Sequence, residues 1–311
     1  MTIVGVLQGC VLSPLLFNIF LEIIIATALD ESDAGAMVNG EIFSNLRFAD
    51  DIAVLAEGES DLQMAVDKIV DVSSSMGMCI NAAKTEIQFL GKGNITFQIK
   101  VNGQQLQQTE NFVYLGGNIS TNDGSGKDIE RRIGLARGML QTLNRIWTSK
   151  ELSKQTKMRV YETLVKSVLL YNSETWTLKE KDKSRLRVFE MTCLRKIEGV
   201  TRRDRIRNEE IRGRLHVQQD IVSDIAKRRL RYFGHISRMD IGRYPKIAFN
   251  GYVHGQRKRG RPKKRWIDVV RADCNYMGMT VNSAERNSSD RDGWRKSIDE
   301  LLLRALASPR Q

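Results

Sequence analysis

The sequence predicts an α+β protein, in which a small antiparallel sheet with helices is followed by a basic, mostly helical part. Short β-rich segments alternate with helical patterns only before residues 120–126, which form a polar, glycine-containing linker. Charge changes at the same place: residues 1–126 contain 5 Lys and Arg against 15 Asp and Glu, whereas residues 127–311 contain 44 against 22. A chain of 311 residues is long enough for two or three domains, each with its own core.

The first predicted helix begins at Ser13 and runs to about Leu29. Ser13 followed by Pro14 is typical of an N-cap and a first helical residue. The loop before this helix contains Gln8 and Gly9, and a backbone without Cβ can approach a ligand closely at a helix N-terminus. This loop is therefore a candidate ligand-binding segment.

The most informative motif is Phe48-Ala49-Asp50-Asp51, which lies between β-rich segments at residues 42–47 and 52–56. The pattern predicts a hairpin with both acids at its tip. Neighbouring carboxylates repel each other, and a bound divalent cation would offset that repulsion. Two-metal phosphoryl transfer uses such carboxylates. Solvated Asp pairs are also common in turns, so the pair alone leaves both interpretations open.

The next segments predict a helix at residues 60–76 that ends at Gly77, then a turn that contains Lys84. That turn leads into a predicted strand at residues 87–90. Asn102-Gly103 predicts a two-residue hairpin turn, and residues 112–117 predict a further strand that ends in glycine. The order is loop and helix, acidic hairpin, helix, lysine-bearing turn, and glycine-ended strand.

These motifs, in this order, resemble the palm of a reverse transcriptase, specifically that of the non-LTR (LINE-type) retrotransposons. The resemblance implies that the acidic pair is catalytic and binds Mg²⁺ or Mn²⁺, that the lysine assists departure of pyrophosphate, and that the substrates are deoxynucleotides (dNTPs), an RNA template and a DNA primer. The residues that match the family's motifs are Asp50 and Asp51 for the metal, Lys84 for the leaving group, Gln8 and Gly9 for the nucleotide and template site, and Tyr114 and Gly116 for the primer end.

The resemblance also implies that the catalytic set is incomplete. The family's palm has another aspartate on a strand that precedes the Gln-Gly loop, whereas only Met1–Leu7 precede it here. Asp30 and Asp33 follow the loop, so chain order argues against either of them. We therefore expect a reverse transcriptase fragment that is inactive alone, with an unpaired sheet edge. The alternative is a non-enzymatic nucleic-acid-binding protein derived from a retrotransposon.

The same resemblance divides the chain into three regions. Residues 1–120 would form a partial palm, residues 127–200 a helical thumb, and residues 201–311 a basic C-terminal region that binds nucleic acid. Apolar spacing predicts thumb helices at residues 127–146, 154–171 and 181–197. Thumb helices contact phosphates and follow the shape of the duplex, so they read no base sequence.

Residues 228–239 combine arginines with aromatic side chains, which suits phosphate pairing together with base stacking. Arg228, Arg229 and Arg231 are the candidate contacts. An equally good interpretation is that Tyr232 and Phe233 belong to the buried stripe of a helix.

The run from Arg257 to Trp266 is the most basic in the chain. We favour a non-specific phosphate clamp over minor-groove reading like that of an AT-hook, and a nuclear-localisation signal is a further alternative. The candidate contacts are Arg257, Lys258, Arg259, Arg261, Lys263, Lys264 and Arg265. Beyond the run, Trp266, Val269, Val270, Trp294, Ile298 and Leu301 predict helices that close the domain.

Cys10 and Cys79 are expected to be small buried side chains, and the four cysteines and three histidines lack zinc-ligand spacing. Neither zinc nor disulfides are predicted. The most apolar stretch, Leu15–Leu29, is interrupted by polar residues, so no membrane span is expected. We expect a nuclear or cytoplasmic protein.

Overall fold

The structure is a computed structural model that describes residues 9–29, 35–91, 93, 95–121, 124–251 and 264–307, with side chains up to residue 300. The chain divides into two compact units. The first unit comprises residues 1–115 with 250–256, and the second comprises residues 116–249 with 257–311. The division after residue 115 lies five residues before the end of the palm segment expected from the sequence.

Helices and short strands are both present, so the predicted α+β class is confirmed. The first unit contains α1 (Ser13–Leu29), β1 (Ala36–Val38), β2 (Glu41–Phe43), β3 (Asn45–Phe48), β4 (Asp51–Val54), α2 (Glu59–Ser75), β5 (Glu86–Gln88), β6 (Lys100–Val101), β7 (Gln104–Gln105), β8 (Gln107–Thr109) and β9 (Asn111–Tyr114). The remaining elements are β10 (Gly117–Ser120), α3 (Gly126–Thr142), α4 (Asn144–Thr148), α5 (Lys154–Val160), α6 (Ser167–Leu169), α7 (Glu180–Glu198), α8 (Asn208–Arg214), α9 (Ile221–Ser237), α10 (Tyr244–Asn250), α11 (Trp266–Tyr276), α12 (Val281–Asn287) and α13 (Arg291–Ala307).

The main core of the first unit lies between α1 and α2. Ile24 and Ile25 of α1 are buried with Ala65 and Ile69 of α2, because both helices repeat apolar residues at three- and four-residue spacing. The predicted bounds of α1 and α2 are confirmed to within one residue. Met76 caps the C-terminus of α2, and the following Gly77 adopts a positive φ of 77°.

Strands of the first unit pair as short, separate ladders. Strands β3 and β4 are antiparallel, with Phe48 opposite Asp51. Strands β6 and β7 form the predicted hairpin, in which Asn102 and Gly103 both have positive φ, as this type of two-residue turn requires. Strands β5 and β8 pair in parallel. A second small core, which contains Ile87, Ile99, Val101 and Leu106, lies beneath these later strands.

The second unit is built on a helical core shared by α3, α7 and α9. The helix predicted at residues 127–146 is interrupted, since α3 ends at Thr142 and α4 begins at Asn144. The indole of buried Trp147 donates a hydrogen bond to the carbonyl of Leu140 at 2.8 Å, which fixes α4 against α3.

The helix predicted at residues 154–171 changes its winding. It begins as α5, becomes a π-helix at Tyr161–Lys166, and ends as α6. The helix predicted at residues 181–197 is confirmed as α7, which ends at Gly199 with a φ of 77°. Such a left-handed residue is the usual end of a helix.

A second helical core surrounds Trp294, which is 1% exposed. Its indole donates to the carbonyl of Leu230 at 3.0 Å, and its ring packs against Phe233 of α9. Helices α11 and α13 contribute Val270 and Ile298 to this core, so the helices predicted around these residues are confirmed. Within the described residues, none of the helices has the length and apolarity that crossing a bilayer would require.

Candidate metal and nucleic-acid site

The acidic motif forms a tight hairpin, as predicted. Phe48 ends β3 and Asp51 begins β4, so Ala49 and Asp50 alone make the turn. Ala49 has a φ of 52°, which is unfavourable for a residue with a Cβ. Asp50 and Asp51 are both exposed. The two carboxylates therefore lie side by side in sequence at the tip, open to solvent.

The two faces of this hairpin differ. Ile52 and Val54 pack against the core of α1 and α2. Arg47, opposite Ile52, forms an ion pair with Glu22 of α1 at 2.7 Å. Cross-strand partners share a face, so Asp51 projects on the other face together with Phe48, which is 64% exposed. One face thus anchors the hairpin while the other presents a carboxylate beside apolar side chains.

Tyr114 lies beside the same hairpin. Its hydroxyl donates a hydrogen bond to the carbonyl of Leu46 in β3 at 3.2 Å, and its ring stacks with Phe112. Partial burial raises the pKa of Tyr114, and the nearby negative charge of Asp51 raises it further. The structure thus brings two residues of the predicted site, Asp51 and Tyr114, close enough to interact electrostatically.

Lys84 is exposed on a turn that Asn81 organises. The Asn81 side chain accepts from the amide of Ala83 at 3.1 Å, and its carbonyl accepts from the hydroxyl of Thr85 at 3.0 Å. The turn leads directly into β5, whose ladder is separate from that of β3 and β4 among the described strands. Lys84 is therefore held by a defined backbone with its ammonium group exposed.

The two glycines of the predicted site have different surroundings. Gly9 has a φ of 91° and open space where a Cβ would be, while Gln8 lies outside the described residues. Gly116 has a φ of 73°, and a Cβ there would approach Tyr171 and Arg132. Its carbonyl accepts hydrogen bonds from Arg131 and Arg132. Both positions favour glycine because of their left-handed backbone.

The arginines of α9 make contacts within the protein. Arg229 is 2% exposed, and it donates to Asp273 at 2.6 Å and to the carbonyl of Trp176 at 2.8 Å. Arg228 donates to the carbonyl of Leu170, and Arg231 to the carboxylate of Asp299. Tyr232 and Phe233 were expected either to stack on bases or to belong to the buried stripe of a helix. Phe233 is fully buried, as the second interpretation predicts.

The end of the basic run is partly described. Lys264 is exposed. The hydrogen bond and the charge of Lys183 lower the pKa of Glu180, and the positive charges of Arg187 and Lys264 lower it further. Arg265 pairs with Asp268 at the start of α11. Arg257, Lys258, Arg259, Arg261 and Lys263 lie outside the described residues.

The expectation for the exposed cysteines was wrong. Cys10 and Cys79 are both exposed, whereas Cys193 and Cys274 are buried. Cys10 lies in the loop before α1, where the amide of Leu12 and the hydroxyl of Ser13 lower the pKa of its thiol.

The described part of the chain contains no cluster of three or more His, Cys, Asp or Glu side chains that could hold a metal. Asp50 and Asp51 nevertheless supply the donors that Mg²⁺ prefers, since Mg²⁺ is commonly bound by one or two carboxylates and completes its shell with water and substrate phosphates. The pair fits the ion in donor type and number.

Comparison with known proteins gives a family match that includes the acidic hairpin. Residues 2–119 match the family described as reverse transcriptase (RNA-dependent DNA polymerase), and residues 139–171 match a domain family of unknown function. The first 119 residues are thus similar to reverse transcriptases.

Three relatives extend this likeness. An uncharacterised transposon-derived protein of Caenorhabditis elegans is 26% identical over 83% of this chain and 95% of its own length. The retrovirus-related Pol polyprotein of a type-2 retrotransposable element of Drosophila melanogaster is 40% identical over 33% of this chain. The RNA-directed DNA polymerase from mobile element jockey of Drosophila funebris is 25% identical over 72% of it. The chain spans 9% and 25% of the lengths of these two fly proteins.

Sequence reasoning singled out neither Arg195, near the end of α7, nor Arg202 and Arg205, which follow it. These three arginines line a cavity, and residues 202–207 contain four arginines in six positions, interrupted by Asp204. A signal was present in the helical spacing of Arg187, Met191 and Arg195, which places them on one face of α7.

Proposed function

We propose that this chain is a reverse transcriptase fragment derived from a non-LTR retrotransposon, with its partial palm in residues 1–120. The observation that carries the proposal is the hairpin Phe48-Ala49-Asp50-Asp51, which presents two exposed carboxylates inside the segment that resembles reverse transcriptases. Two adjacent exposed carboxylates at the tip of this hairpin have a clear chemical use in nucleotidyl transfer.

In this proposal Asp50 and Asp51 would hold Mg²⁺ or Mn²⁺, which would neutralise charge at the transferring phosphate. Lys84 is proposed to stabilise the departing pyrophosphate of a dNTP, since its ammonium group is exposed on a fixed turn. Gln8 and Gly9 would line the nucleotide and template site. Tyr114 and Gly116 would support the primer end on the RNA template.

We further propose that the chain does not extend a primer by itself. Two-metal phosphoryl transfer depends on a full set of acidic ligands, and no third acidic side chain joins Asp50 and Asp51 within the described residues. The thumb in residues 127–200, the basic region in residues 201–311, and a nuclear or cytoplasmic location belong to the same proposal.

The first experiment is metal binding. Mn²⁺ binding to the full chain, followed by electron paramagnetic resonance, is expected to weaken strongly in the Asp50→Asn, Asp51→Asn variant. A matched control, Glu41→Gln with Asp71→Asn, removes two exposed carboxylates of the same unit and should leave binding unchanged. Equal binding by the parent and both variants would contradict the metal site.

The second experiment is primer extension by the full chain on an RNA template with Mg²⁺ or Mn²⁺. No extension is expected. Extension that disappears in an Asp50→Ala variant would establish a complete polymerase and overturn the proposed inactivity.

A second candidate function is binding of nucleic acid without catalysis. The charge distribution favours it, since residues 127–311 hold twice as many basic as acidic side chains. Arg257, Lys258, Arg259, Arg261, Lys263, Lys264 and Arg265 would contact phosphates, as would Arg228 and Arg231 if they exchange their internal partners. Salt-dependent binding of nucleic acid, combined with no Mn²⁺ binding at the hairpin, would favour this candidate.

A further inference from the structure

Helix α7 and the segment that follows it enclose two adjoining cavities in the second unit. The larger has a volume of about 650 Å³ and is lined by five arginines, two acids and several apolar side chains. The smaller, of about 400 Å³, shares Arg195 and Arg202 with it and adds Lys196. We call the two together the arginine cleft. Its charged side chains are Arg187, Arg195, Lys196, Arg202, Arg205, Arg212, Glu209 and Asp220.

Two of the arginines in the arginine cleft are already neutralised. Arg187 forms an ion pair with Asp220 at 2.6 Å, and Arg212 forms one with buried Glu190 at 2.7 Å. Burial raises the pKa of Glu190, and the hydrogen bond from Arg212 opposes that rise. These two pairs belong to the structure of the unit.

The other arginines retain their charge for a ligand. Among the described residues, Arg202 and Arg205 are paired with no carboxylate, and both are exposed. Arg195 donates to the amide oxygen of Asn208 at 2.7 Å, which orients its guanidinium without neutralising it. The excess positive charge therefore lies at the C-terminal end of α7 and on the segment after it.

A fixed turn presents these arginines. Thr201 and Asp204 close a short 3₁₀-helix, because the Asp204 carboxylate accepts from both the amide and the hydroxyl of Thr201. Arg205 ends this turn with a φ of 52°. The turn fixes the backbone from which Arg202 and Arg205 project, so the two guanidinium groups start from defined positions beside the arginine cleft, where they can pair with phosphate.

The floor of the arginine cleft is apolar. Val188, Met191 and Ile206 line it; Val188 is 49% exposed, Ile206 is partly buried, and Met191 is buried. Arginines beside an exposed apolar surface match a nucleotide unit, whose phosphate is anionic and whose base has a flat apolar face. Bases in a duplex are stacked on each other, so an apolar floor can accept a base only from an unpaired strand.

We propose that the arginine cleft binds a single-stranded segment of nucleic acid, with its phosphates on Arg195, Arg202 and Arg205 and a base against the floor formed by Val188, Met191 and Ile206. This inference rests on the proposed function in one respect, namely that residues 127–311 bind nucleic acid. It adds a defined site outside the acidic hairpin and outside the basic run at residues 257–266.

The test measures binding of the full chain to a fluorescein-labelled single-stranded RNA of mixed sequence by anisotropy, over a series of salt concentrations. The Arg202→Glu, Arg205→Glu variant is expected to bind about tenfold more weakly or worse, and the negative slope of log affinity against log salt should become shallower by about 1.4, since each phosphate contact on a single strand contributes about 0.7. The matched control, Arg243→Glu with Arg286→Glu, makes the same change in net charge at exposed arginines elsewhere in the unit and should retain most of the affinity.

A conservative variant, Arg202→Lys with Arg205→Lys, keeps both charges and should keep the salt slope of the parent. Thermal unfolding checks that every variant is folded. A loss of affinity as large in the control as in the arginine-cleft variant would overturn the proposal, and so would a parent chain that binds no RNA.

Two further arms identify the ligand. The Arg202→Glu, Arg205→Glu change should reduce the affinity for a duplex of the same sequence less than it reduces the affinity for the single strand. Equal reductions for the two RNAs would overturn the base contact. Sodium phosphate added at constant ionic strength should not displace the strand, and displacement would assign the arginine cleft to free phosphate. Mn²⁺ binding at the hairpin uses none of these arginines, so its failure and the failure of the arginine cleft are separate results.

Discussion

The two units of the protein are stabilised in different ways. The first is acidic, with short separate ladders, and several apolar side chains of α1 are exposed, as at Leu15, Leu16 and Ile19. The second is basic, and its helices surround extended apolar cores crossed by internal ion pairs. The proposed metal ligands therefore lie where a substitution costs little stability, whereas several basic side chains of the second unit belong to its architecture.

This contrast bears on how charge should be interpreted. The number of Lys and Arg residues predicts affinity for phosphates only when their side chains face solvent. Arg229 is buried beside Asp273, and Arg212 is paired with buried Glu190, so neither charge is free. Exposed arginines such as Arg202 and Arg205, which pair with no carboxylate in the described part of the chain, are better candidates than arginines chosen only because basic residues are dense around them in the sequence.

The largest expected effect is that of Arg229→Met. The change leaves Asp273 and the carbonyl of Trp176 without their buried partner, so we expect the free energy of unfolding to fall by about 3–5 kcal/mol. Urea unfolding measures it. The control is Arg231→Met, whose ion pair with Asp299 is largely exposed and should contribute less than about 1 kcal/mol. Equal losses of stability in the two variants would show that the buried ion pair of Arg229 with Asp273 contributes no more than an exposed one.

A smaller effect is expected for Asp220→Ala. Asp220 caps α9 through the amide of Ser223 and pairs with Arg187, so the free energy of unfolding should fall by about 1–2 kcal/mol at neutral pH. Burial, the largest influence, raises the pKa of Asp220, but the hydrogen bonds from Arg187 and Ser223 outweigh it, and the pKa lies below the ordinary value of 3.8.

The sign of the pH dependence follows from that shift. Because the pKa is lower in the folded state, the contribution of Asp220 is complete above the unfolded pKa and disappears as pH falls through the folded value. The difference between the parent and Asp220→Ala should therefore shrink below about pH 4. An exposed control, Asp240→Ala, should show no such convergence. A difference that persists at acidic pH would contradict the capping role.

In the first unit, Ala49→Gly is expected to stabilise the protein. Ala49 has a φ of 52°, and glycine removes the steric cost of that conformation, so a gain of about 0.5–1 kcal/mol is expected in thermal unfolding. Ala53→Gly in β4 is the matched control and should destabilise by a similar amount, because glycine weakens a strand interior. A loss at both positions would mean that the turn is not strained.

The smallest effect is electrostatic. The Asp51→Asn change removes one of the two influences that raise the pKa of Tyr114, so that pKa should move toward the ordinary value of 10.0 without reaching it, since burial remains. Nuclear magnetic resonance of ring-labelled tyrosine measures the titration. The control, Asp50→Asn, changes the neighbouring carboxylate and should leave the Tyr114 pKa as it is. Identical titrations in all three proteins would place Asp51 away from Tyr114.

The sequence predicted local elements well where their signals are local. Ser13 and Pro14 mark the start of α1, and Asn102-Gly103 specifies its turn, because capping and left-handed turns depend on neighbouring residues alone. The acidic hairpin was predictable for the same reason.

What could not be predicted depends on distant partners. Nothing near Arg229 in the sequence indicates that Asp273, forty-four residues later, will neutralise it. The arginine cleft was indicated only by the helical spacing of its residues on α7, since its other walls come from a short turn and from α8, and no single period joins these three elements. Periodicity tells which apolar residues face inward, but it does not pair charges.

The π-helix at Tyr161–Lys166 has a consequence for how the second unit tolerates change in length. Each of its turns holds more residues than an α-helical turn, so the segment takes up what amounts to one surplus residue while Tyr161, Val165 and Leu169 all remain buried. Deleting one residue there should therefore restore regular α-helical winding and leave the downstream residues facing the same core. The irregular winding thus lets the helix carry an extra residue while Leu169 stays in the interior.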